Sequence, residues 1–171
     1  MRGRWAWIAV LALGLTVSFA TMARRTSAWR ALISVAYPDV RWVDGETLSD
    51  WMDASSDNEL VLLDVRTPEE QRVSHLRDAR LLNAKNPDIE ALAIPESATV
   101  VVYCSIGYRS ATVIEELEQA GFHDVYNLEG GLFEWANRDR PVFQGGEQVL
   151  EVHPFNRLWG LLLRRDLRAE D

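Results

Sequence analysis

One cysteine, Cys104, is the side chain of this sequence best suited to act as a nucleophile. A lone thiol among 171 residues forms no disulfide within the chain and no cysteine-rich zinc site, so it is either a small buried side chain or a reactive group. It directly follows the apolar run Thr99–Tyr103 and precedes a loop that contains Gly107. A strand end followed by a glycine loop is typical of the ligand-binding edge of an open α/β sheet. We therefore predict that Cys104 is an exposed nucleophile rather than a core residue.

The loop after Cys104 has the composition expected of a site for a thiolate. Its successive backbone N–H groups can form a concave anion site, and Gly107 permits the backbone angles that such a loop needs. The start of the following helix adds partial positive charge, and Arg109 adds a full cation nearby. These features favour a negatively charged sulfur at position 104.

Strands and helices alternate on both sides of this loop. The continuous apolar runs Leu60–Val65 and Thr99–Tyr103 are typical of strands buried on both faces of a parallel sheet. Shorter strands are predicted over Val40–Val43 and Val125–Asn127. Such alternation predicts an α/β domain over residues 40–145, with a mainly parallel sheet flanked by helices.

The helices of this domain have recognisable boundaries. Thr67 as N-cap, Pro68 at the first helical position and Glu70 three residues after the cap form a capping box. Further helices are predicted over Thr47–Asp53, over Arg109–Gln119 and around Trp135, as the apolar spacing and the neighbouring glycines indicate.

The first 25 residues are expected to form a membrane anchor or an export signal. Arg2 and Arg4 precede a charge-free run over 5–23, which at about 1.5 Å per residue approaches the roughly 30 Å of a bilayer core. This length favours an uncleaved single pass through the membrane. Small residues before Thr21 and Arg24 keep open the alternative of signal cleavage and export to the periplasm or the extracellular space.

Two amphipathic segments flank the domain. Residues 26–39 are predicted to form a linker helix whose apolar side carries Trp29, Leu32, Ile33, Ala36 and Tyr37. The tail, 146–171, is predicted to be partly helical, with apolar side chains at Phe155, Leu158, Trp159 and Leu162 among several arginines. The tail either lies on an anionic membrane surface beside the anchor or packs back onto the domain.

Charge and composition exclude some function classes. The chain has 18 basic and 26 acidic residues, a net charge of −8, and no basic stripe, so a nucleic acid is not expected as its main partner. Its three histidines are scattered and suggest no metal site.

Four ordered motifs resemble the single-domain rhodanese-like sulfurtransferases. Leu63–Arg66 with Glu70 is similar to the family's DVR-x-x-x-E, and Cys104–Ser110 is similar to its active loop, C-x-x-G-x-R-S. Residues 74–79 are similar to G-H-I-x-G-A, although Ser74 and Asp78 replace the two glycines. The closing motif, N-L-x-G-G-x-x-x-W followed by P-V, resembles residues 127–142.

This resemblance implies a persulfide mechanism. Cys104 would take the sulfane sulfur from a small sulfur-containing anion such as thiosulfate, or from a persulfide, and pass it to a thiol, to cyanide or to a protein acceptor. Arg109 would attract the anionic donor, and no metal or cofactor would be needed. The active loop that would bind the substrate consists of Ser105, Ile106, Gly107, Tyr108, Arg109 and Ser110. Asp64 and Arg66 would support it, either by contacting the loop or as a structural ion pair.

Two other functions remain open at this point. A noncatalytic rhodanese-like module would carry sulfur or act as a scaffold at a membrane, although such modules normally lack the cysteine. A cysteine phosphatase of the same fold would have the pattern C-x5-R, whose wider loop binds a tetrahedral oxyanion. Cys104 and Arg109 form the shorter pattern C-x4-R, which suits a single sulfur atom better.

Overall fold

A computed structural model describes residues 28–54 and 60–170. The predicted anchor or signal over residues 1–25 lies outside them. Among the described residues, no helix is both long and apolar enough to cross a bilayer.

The central sheet of the described residues has five parallel strands, β1 (Trp42–Val43), β2 (Leu60–Asp64), β3 (Arg80–Leu81), β4 (Thr99–Tyr103) and β5 (Val125–Leu128). Their order in the sheet is β1-β5-β4-β2-β3. Strand β4 lies in the middle, between β5 and β2, and Leu63 of β2 is in register with Val102 of β4. The predicted α/β architecture is therefore confirmed, while the short edge strand β3 had no signal in the apolar pattern.

Helices cover both faces of the sheet. They are α1 (28–36), α2 (Gly45–Ala54), α3 (Pro68–Val73), α4 (Tyr108–Gln119) and α5 (Gly131–Asn137). The capping box that starts α3 is confirmed: Thr67 Oγ1 accepts from Glu70 N at 3.3 Å, and the Glu70 carboxylate accepts from Thr67 N at 3.1 Å.

The core is divided by the sheet into two layers. Because side chains alternate along a strand, Val100 and Val102 of β4 face one layer with α1 and α4, while Val101 and Tyr103 face the other with α2 and α5. Cys104 continues the first layer at the carboxyl end of β4. Cys104 therefore lies where the central strand leaves the sheet.

The tail packs onto the second layer, as one of the two predicted alternatives had it. Val152, Leu163 and Leu167 are buried there. An antiparallel hairpin, β6 (Val142–Gln144) and β7 (Glu147–Val149), leads into it, so the predicted domain boundary at 145 falls within the hairpin turn. The tail, which is predicted to be partly helical, contains the short 3₁₀ helices Trp159–Leu162 and Arg165–Leu167.

Candidate active site

The Cys104 sulfur lies at the centre of the loop that joins β4 to α4. Its Sγ accepts a hydrogen bond from the backbone N–H of Gly107 at 3.2 Å, and the Ser110 hydroxyl lies 3.8 Å away. Gly107 has φ of +100°, a conformation that glycine adopts without steric cost. The sequence analysis predicts that successive backbone N–H groups of the loop form an anion site, and the N–H of Gly107 makes such a contact with the sulfur.

The prediction that Cys104 is exposed is wrong. The residue is only 1% exposed, since α1 and the tail both cover the carboxyl edge of β4. Access is through a cavity of about 350 Å³, which Cys104 lines together with residues of α1, the loop and the tail. The loop sequence contains no signal for this cover, because the covering segments lie far from it along the chain.

The start of helix α5 donates two hydrogen bonds to the backbone at the beginning of the loop. Leu132 N donates to the carbonyl of Cys104 at 2.9 Å, and Phe133 N donates to that of Ser105 at 3.1 Å. Gly131 makes this approach possible: a Cβ at that position would lie 2.4 Å from the Cys104 carbonyl oxygen. Two loop carbonyls are thus engaged outside the pocket while the Gly107 N–H faces the sulfur.

Asn127 at the end of β5 holds the second half of the loop. Its Nδ2 donates to the Gly107 carbonyl at 2.8 Å, and its Oδ1 accepts from the Ser110 hydroxyl at 2.7 Å. Asn127 is fully buried. The sequence analysis assigns Asn127 no role of its own, although its position in the N-L-x-G-G motif and on the strand beside β4 is a usable signal.

The side chain of Arg109 forms an ion pair with Glu70. Its guanidinium donates to both carboxylate oxygens of Glu70, at 2.7 and 2.8 Å, and also to the Ser105 hydroxyl at 2.9 Å. Ser105 in turn donates to Glu70 at 2.8 Å. The cation predicted to attract an anionic donor is therefore balanced by a carboxylate, and this three-residue network ties the loop to α3.

Burial and pairing act in opposite directions on this ion pair. Burial by itself raises the pKa of the Glu70 carboxyl, but hydrogen bonds and charge from Arg109 outweigh it and lower the pKa to about 2. Burial also opposes the charge on Arg109, yet its bonds to Glu70 and its proximity to Cys104 raise the pKa of the guanidinium. Both partners are ionised near neutral pH.

Asp64 and Arg66 form a fully buried ion pair below the site. Arg66 donates to Asp64 at 2.6 Å and to the Ser74 carbonyl at 2.6 Å. The hydroxyl of Tyr103 donates to Asp64 at 3.0 Å and accepts from Leu76 N at 3.1 Å. The structural ion pair foreseen from sequence is thus present, and it holds the residue that directly precedes Cys104.

The remaining loop side chains face the cavity. Ile106 is half-buried, whereas Tyr108 is 54% exposed and packs edge-to-face on Tyr37, with the ring centroids 6.0 Å apart. Both line the cavity above Cys104. Within residues 28–54 and 60–170, no three His, Cys, Asp or Glu side chains are grouped to hold a metal ion.

The ion pair between Glu70 and Arg109 predicts that the free energy of unfolding decreases in acid. The pKa of Glu70 is about 2 in the folded chain against an ordinary value of 4.5, so its contribution is complete above pH 4.5 and is lost as the pH falls towards 2. This shift corresponds to about 3 kcal/mol. We expect Glu70→Gln to be less stable than wild type near neutral pH by about that amount, and the difference to shrink below pH 4.5.

Urea unfolding at pH steps from 7 to 3 measures this difference. Glu69→Gln is the control, because Glu69 is the neighbouring carboxylate but its side chain is 65% exposed. We expect its stability profile to follow that of the wild type. If the unfolding free energies of Glu70→Gln and wild type differed by the same amount at every pH, the stabilising role of ionised Glu70 would be contradicted.

The fold and the loop geometry agree with a known family. A family model described as "Rhodanese-like domain" matches residues 47–138. This chain belongs to the rhodanese-like family. The family resemblance of the four sequence motifs is confirmed, and the family is one of sulfurtransferases.

Individual members show how far the similarity extends. A sulfurtransferase of Allochromatium vinosum is 35% identical over 103 residues, which are 60% of this chain and 94% of that protein. The probable adenylyltransferase/sulfurtransferase MoeZ of Mycobacterium tuberculosis is 36% identical over 96 residues, which are 55% of this chain. Those residues are only 24% of MoeZ, so the rhodanese-like chain spans about a quarter of that relative.

Solved structures share the same fold. A crystal structure of thiosulfate sulfurtransferase from Pseudomonas aeruginosa superposes with a TM-score of 0.57 at 22% identity, over 71% of this chain and 23% of that one. At this identity the likeness concerns the fold alone.

Proposed function

We propose that this rhodanese-like protein transfers sulfane sulfur through a persulfide on Cys104. The observation that carries the proposal is the Sγ of Cys104 at the centre of its loop, where it accepts the Gly107 N–H at 3.2 Å. The chain has no other thiol, so no second cysteine competes for the sulfur or forms a disulfide with Cys104. A single nucleophile must therefore both accept the sulfur and release it to another molecule.

The first half-reaction loads the cysteine. The Cys104 thiolate attacks the sulfane sulfur of thiosulfate or of a persulfide, the Sγ–S bond forms, and the S–S bond of the donor breaks. Sulfite or a thiolate leaves with the electron pair of that bond. The product is an anionic Cys104 persulfide, and no oxidant or reductant is consumed.

The second half-reaction unloads it. A thiolate or cyanide attacks the terminal sulfur, the Sγ–S bond breaks, and its electrons return to Cys104 as the thiolate. The product is a new persulfide or thiocyanate. A protein thiol is a further acceptor, in keeping with the similarity to MoeZ, whose name includes a sulfurtransferase activity.

The loop residues have separate roles in this scheme. The Gly107 N–H stabilises the charged sulfur, and loss of one such preorganised donor typically costs about 3 kcal/mol of transition-state stabilisation. The Ser110 hydroxyl donates its one proton to Asn127 and so holds the loop in place. Arg109, held by both carboxylate oxygens of Glu70, keeps the loop in shape. Asp64 and Arg66 fix the strand end below, so they are positioning residues rather than catalytic ones.

Loading of the wild-type protein tests this function. We expect incubation with thiosulfate to add about 32 Da to the intact protein, and cyanide to remove that mass as thiocyanate. Mass spectrometry follows the adduct, peptide mapping locates it at Cys104, and a colorimetric assay follows thiocyanate. The absence of both adduct and turnover, with thiosulfate and with an organic persulfide as donors, would contradict the proposal.

A further inference from the structure

The cavity that leads to Cys104 has walls of unusual composition for a site that handles small anions. It is formed by three segments: helix α1, the active loop, and the tail after β7. Apart from Cys104, Ser105 and Arg109, its lining consists of Trp29, Leu32, Ile33, Ile106, Tyr108, Phe155 and Trp159. An anion that reaches the sulfur must therefore leave water for a mainly apolar and aromatic space, which is unfavourable unless a counter-charge receives it.

No free counter-charge is found among the residues that line this cavity. Among the described residues that line it, Arg109 is the one cation, and its guanidinium is held by both oxygens of Glu70. Because the pKa of Glu70 is about 2, the pair carries no net charge near neutral pH. A dianion such as thiosulfate gains little from this arrangement, whereas an uncharged apolar group gains from burial.

Phe155 gives an independent indication that the cavity is built for a ligand. Its φ of +63° lies in the left-handed region, where a bulky residue is strained by about 1–3 kcal/mol. Such strain concentrates at ligand clamps and active sites. The strained backbone places the Phe155 ring against Arg109, with the guanidinium carbon 4.9 Å from the ring centroid. The ring thus covers the cation on the cavity side, while 42% of Phe155 stays exposed.

Two tryptophans in contact with each other form part of the cavity wall. Trp29 of α1 and Trp159 of the tail meet edge-to-face, with their ring centroids 5.0 Å apart. Both line the cavity, and so does Leu32, although Leu32 is 61% exposed. Exposed apolar side chains around an opening that leads to a nucleophile are typical of a binding site for an apolar ligand.

The cavity is also larger than a small inorganic donor requires. A water molecule takes about 30 Å³ of liquid, so about 350 Å³ corresponds to roughly a dozen waters. That volume falls at the lower end of the range for small-molecule sites and accommodates a thiol with an aromatic-sized substituent.

We infer that the sulfur substrate of this site is a thiol, or the corresponding persulfide, that carries an uncharged apolar group of about the size of an aromatic ring. The inference rests on the sulfurtransferase function proposed above and specifies its substrate class. In the unloading step, the thiolate R–S⁻ attacks the terminal sulfur of the Cys104 persulfide. The new S–S bond forms in R–S–S⁻, and the Sγ–S bond breaks to return the Cys104 thiolate. The R group meanwhile occupies the space between Phe155, Trp159 and Leu32.

A single-turnover experiment tests this selectivity. The full chain is loaded with excess sodium polysulfide, desalted, and mixed with 2-phenylethanethiol, 2-mercaptoethanol or glutathione, and loss of the extra 32 Da or so is followed by mass spectrometry. Each rate constant is corrected for the thiolate fraction and for the uncatalysed reaction with a small-molecule persulfide. We expect 2-phenylethanethiol to react at least about tenfold faster than 2-mercaptoethanol, because even one methylene in an apolar pocket is worth about that factor.

Substitutions in the cavity wall test whether the aromatic lining causes the preference for 2-phenylethanethiol. Phe155→Ala is expected to reduce the ratio of the two rate constants at least about threefold, whereas Phe155→Tyr, which keeps the ring, retains it. Leu150→Ala is the matched control, since Leu150 is an equally apolar tail residue that is 71% exposed and does not line the cavity. Circular dichroism shows whether each variant is folded. The ratio of the two rate constants in the wild-type protein tests the inference even if a variant does not fold.

The outcomes separate this inference from the proposed function. A protein that loads sulfur but unloads it equally to all three thiols, or fastest to glutathione, overturns the inference and leaves the sulfurtransferase function intact. A protein that acquires no sulfur from polysulfide, thiosulfate or an organic persulfide overturns both.

Discussion

Cys104→Ser is expected to lower sulfur transfer at least about 1,000-fold and to abolish the mass increase on loading. The serine hydroxyl occupies the same place and still accepts the Gly107 N–H, but it is not ionised near neutral pH and forms no persulfide. Because the chain has a single cysteine, no neighbouring thiol replaces it. The measurements are thiocyanate production from thiosulfate and cyanide, and intact-protein mass spectrometry after loading.

Stability measurements distinguish a chemical effect from an unfolded protein. The side chain of Cys104 is buried and small, so serine is expected to lower the melting temperature by no more than about 4 °C. Transfer above about 1% of the wild-type rate in a folded Cys104→Ser protein would mean that sulfur takes another route. If the variant also retained its biological role, the noncatalytic sulfur-carrier or scaffold hypothesis would be favoured.

Local sequence patterns predict the elements that position Cys104. The apolar run Thr99–Tyr103 is a strand within a parallel sheet, and the capping box at Thr67 begins α3 as predicted. Such patterns are reliable here because the forces behind them act between neighbours: backbone donors at a helix start need nearby acceptors, and a run of apolar residues needs burial on both faces.

Contacts between distant segments were not predictable in the same way. Glu70 has its capping role in the sequence pattern, but its bonds to Arg109 cross 39 residues and appear only when α3 and α4 pack together. The same applies to the cover over Cys104, since Trp29 and Trp159 meet across the cavity from the two ends of the described chain. These long-range contacts change the chemistry expected at the site, from an open cationic loop to a covered neutral cavity.

Gly131, in the N-L-x-G-G motif, is subject to a local constraint on its backbone angles and to a long-range steric constraint from the active loop. Gly131 has φ of +58°, which by itself explains a glycine there. Gly145, in the turn between β6 and β7, has nearly the same φ, +57°. Their surroundings differ: a Cβ at Gly145 meets nothing within 4 Å, whereas at Gly131 it would lie 2.4 Å from the Cys104 carbonyl oxygen and 2.7 Å from Ile106 N.

Alanine at these two positions should therefore separate backbone strain from steric conflict. Gly145→Ala is expected to cost about 1 kcal/mol, the usual penalty of a left-handed conformation, and to change activity less than about twofold. Gly131→Ala is expected to cost about 4 kcal/mol, because the atoms it meets belong to backbone and cannot rotate away. The loop would have to move, and a displacement of about 1 Å typically costs about 100-fold in activity.

Urea unfolding and kcat/KM for sulfur transfer, measured on both variants, test this expectation. Both variants lose stability because alanine is strained at positive φ, and this cost cancels when the two are compared. The additional loss of stability and activity in Gly131→Ala therefore measures the effect of the close approach of α5 to the loop. Equal losses would mean that Gly131 is needed only for its backbone angles. A much larger loss for Gly131→Ala would mean that the two hydrogen bonds from α5 to the carbonyls of Cys104 and Ser105 require a side-chain-free neighbour, and that this contact fixes the position of the reactive sulfur.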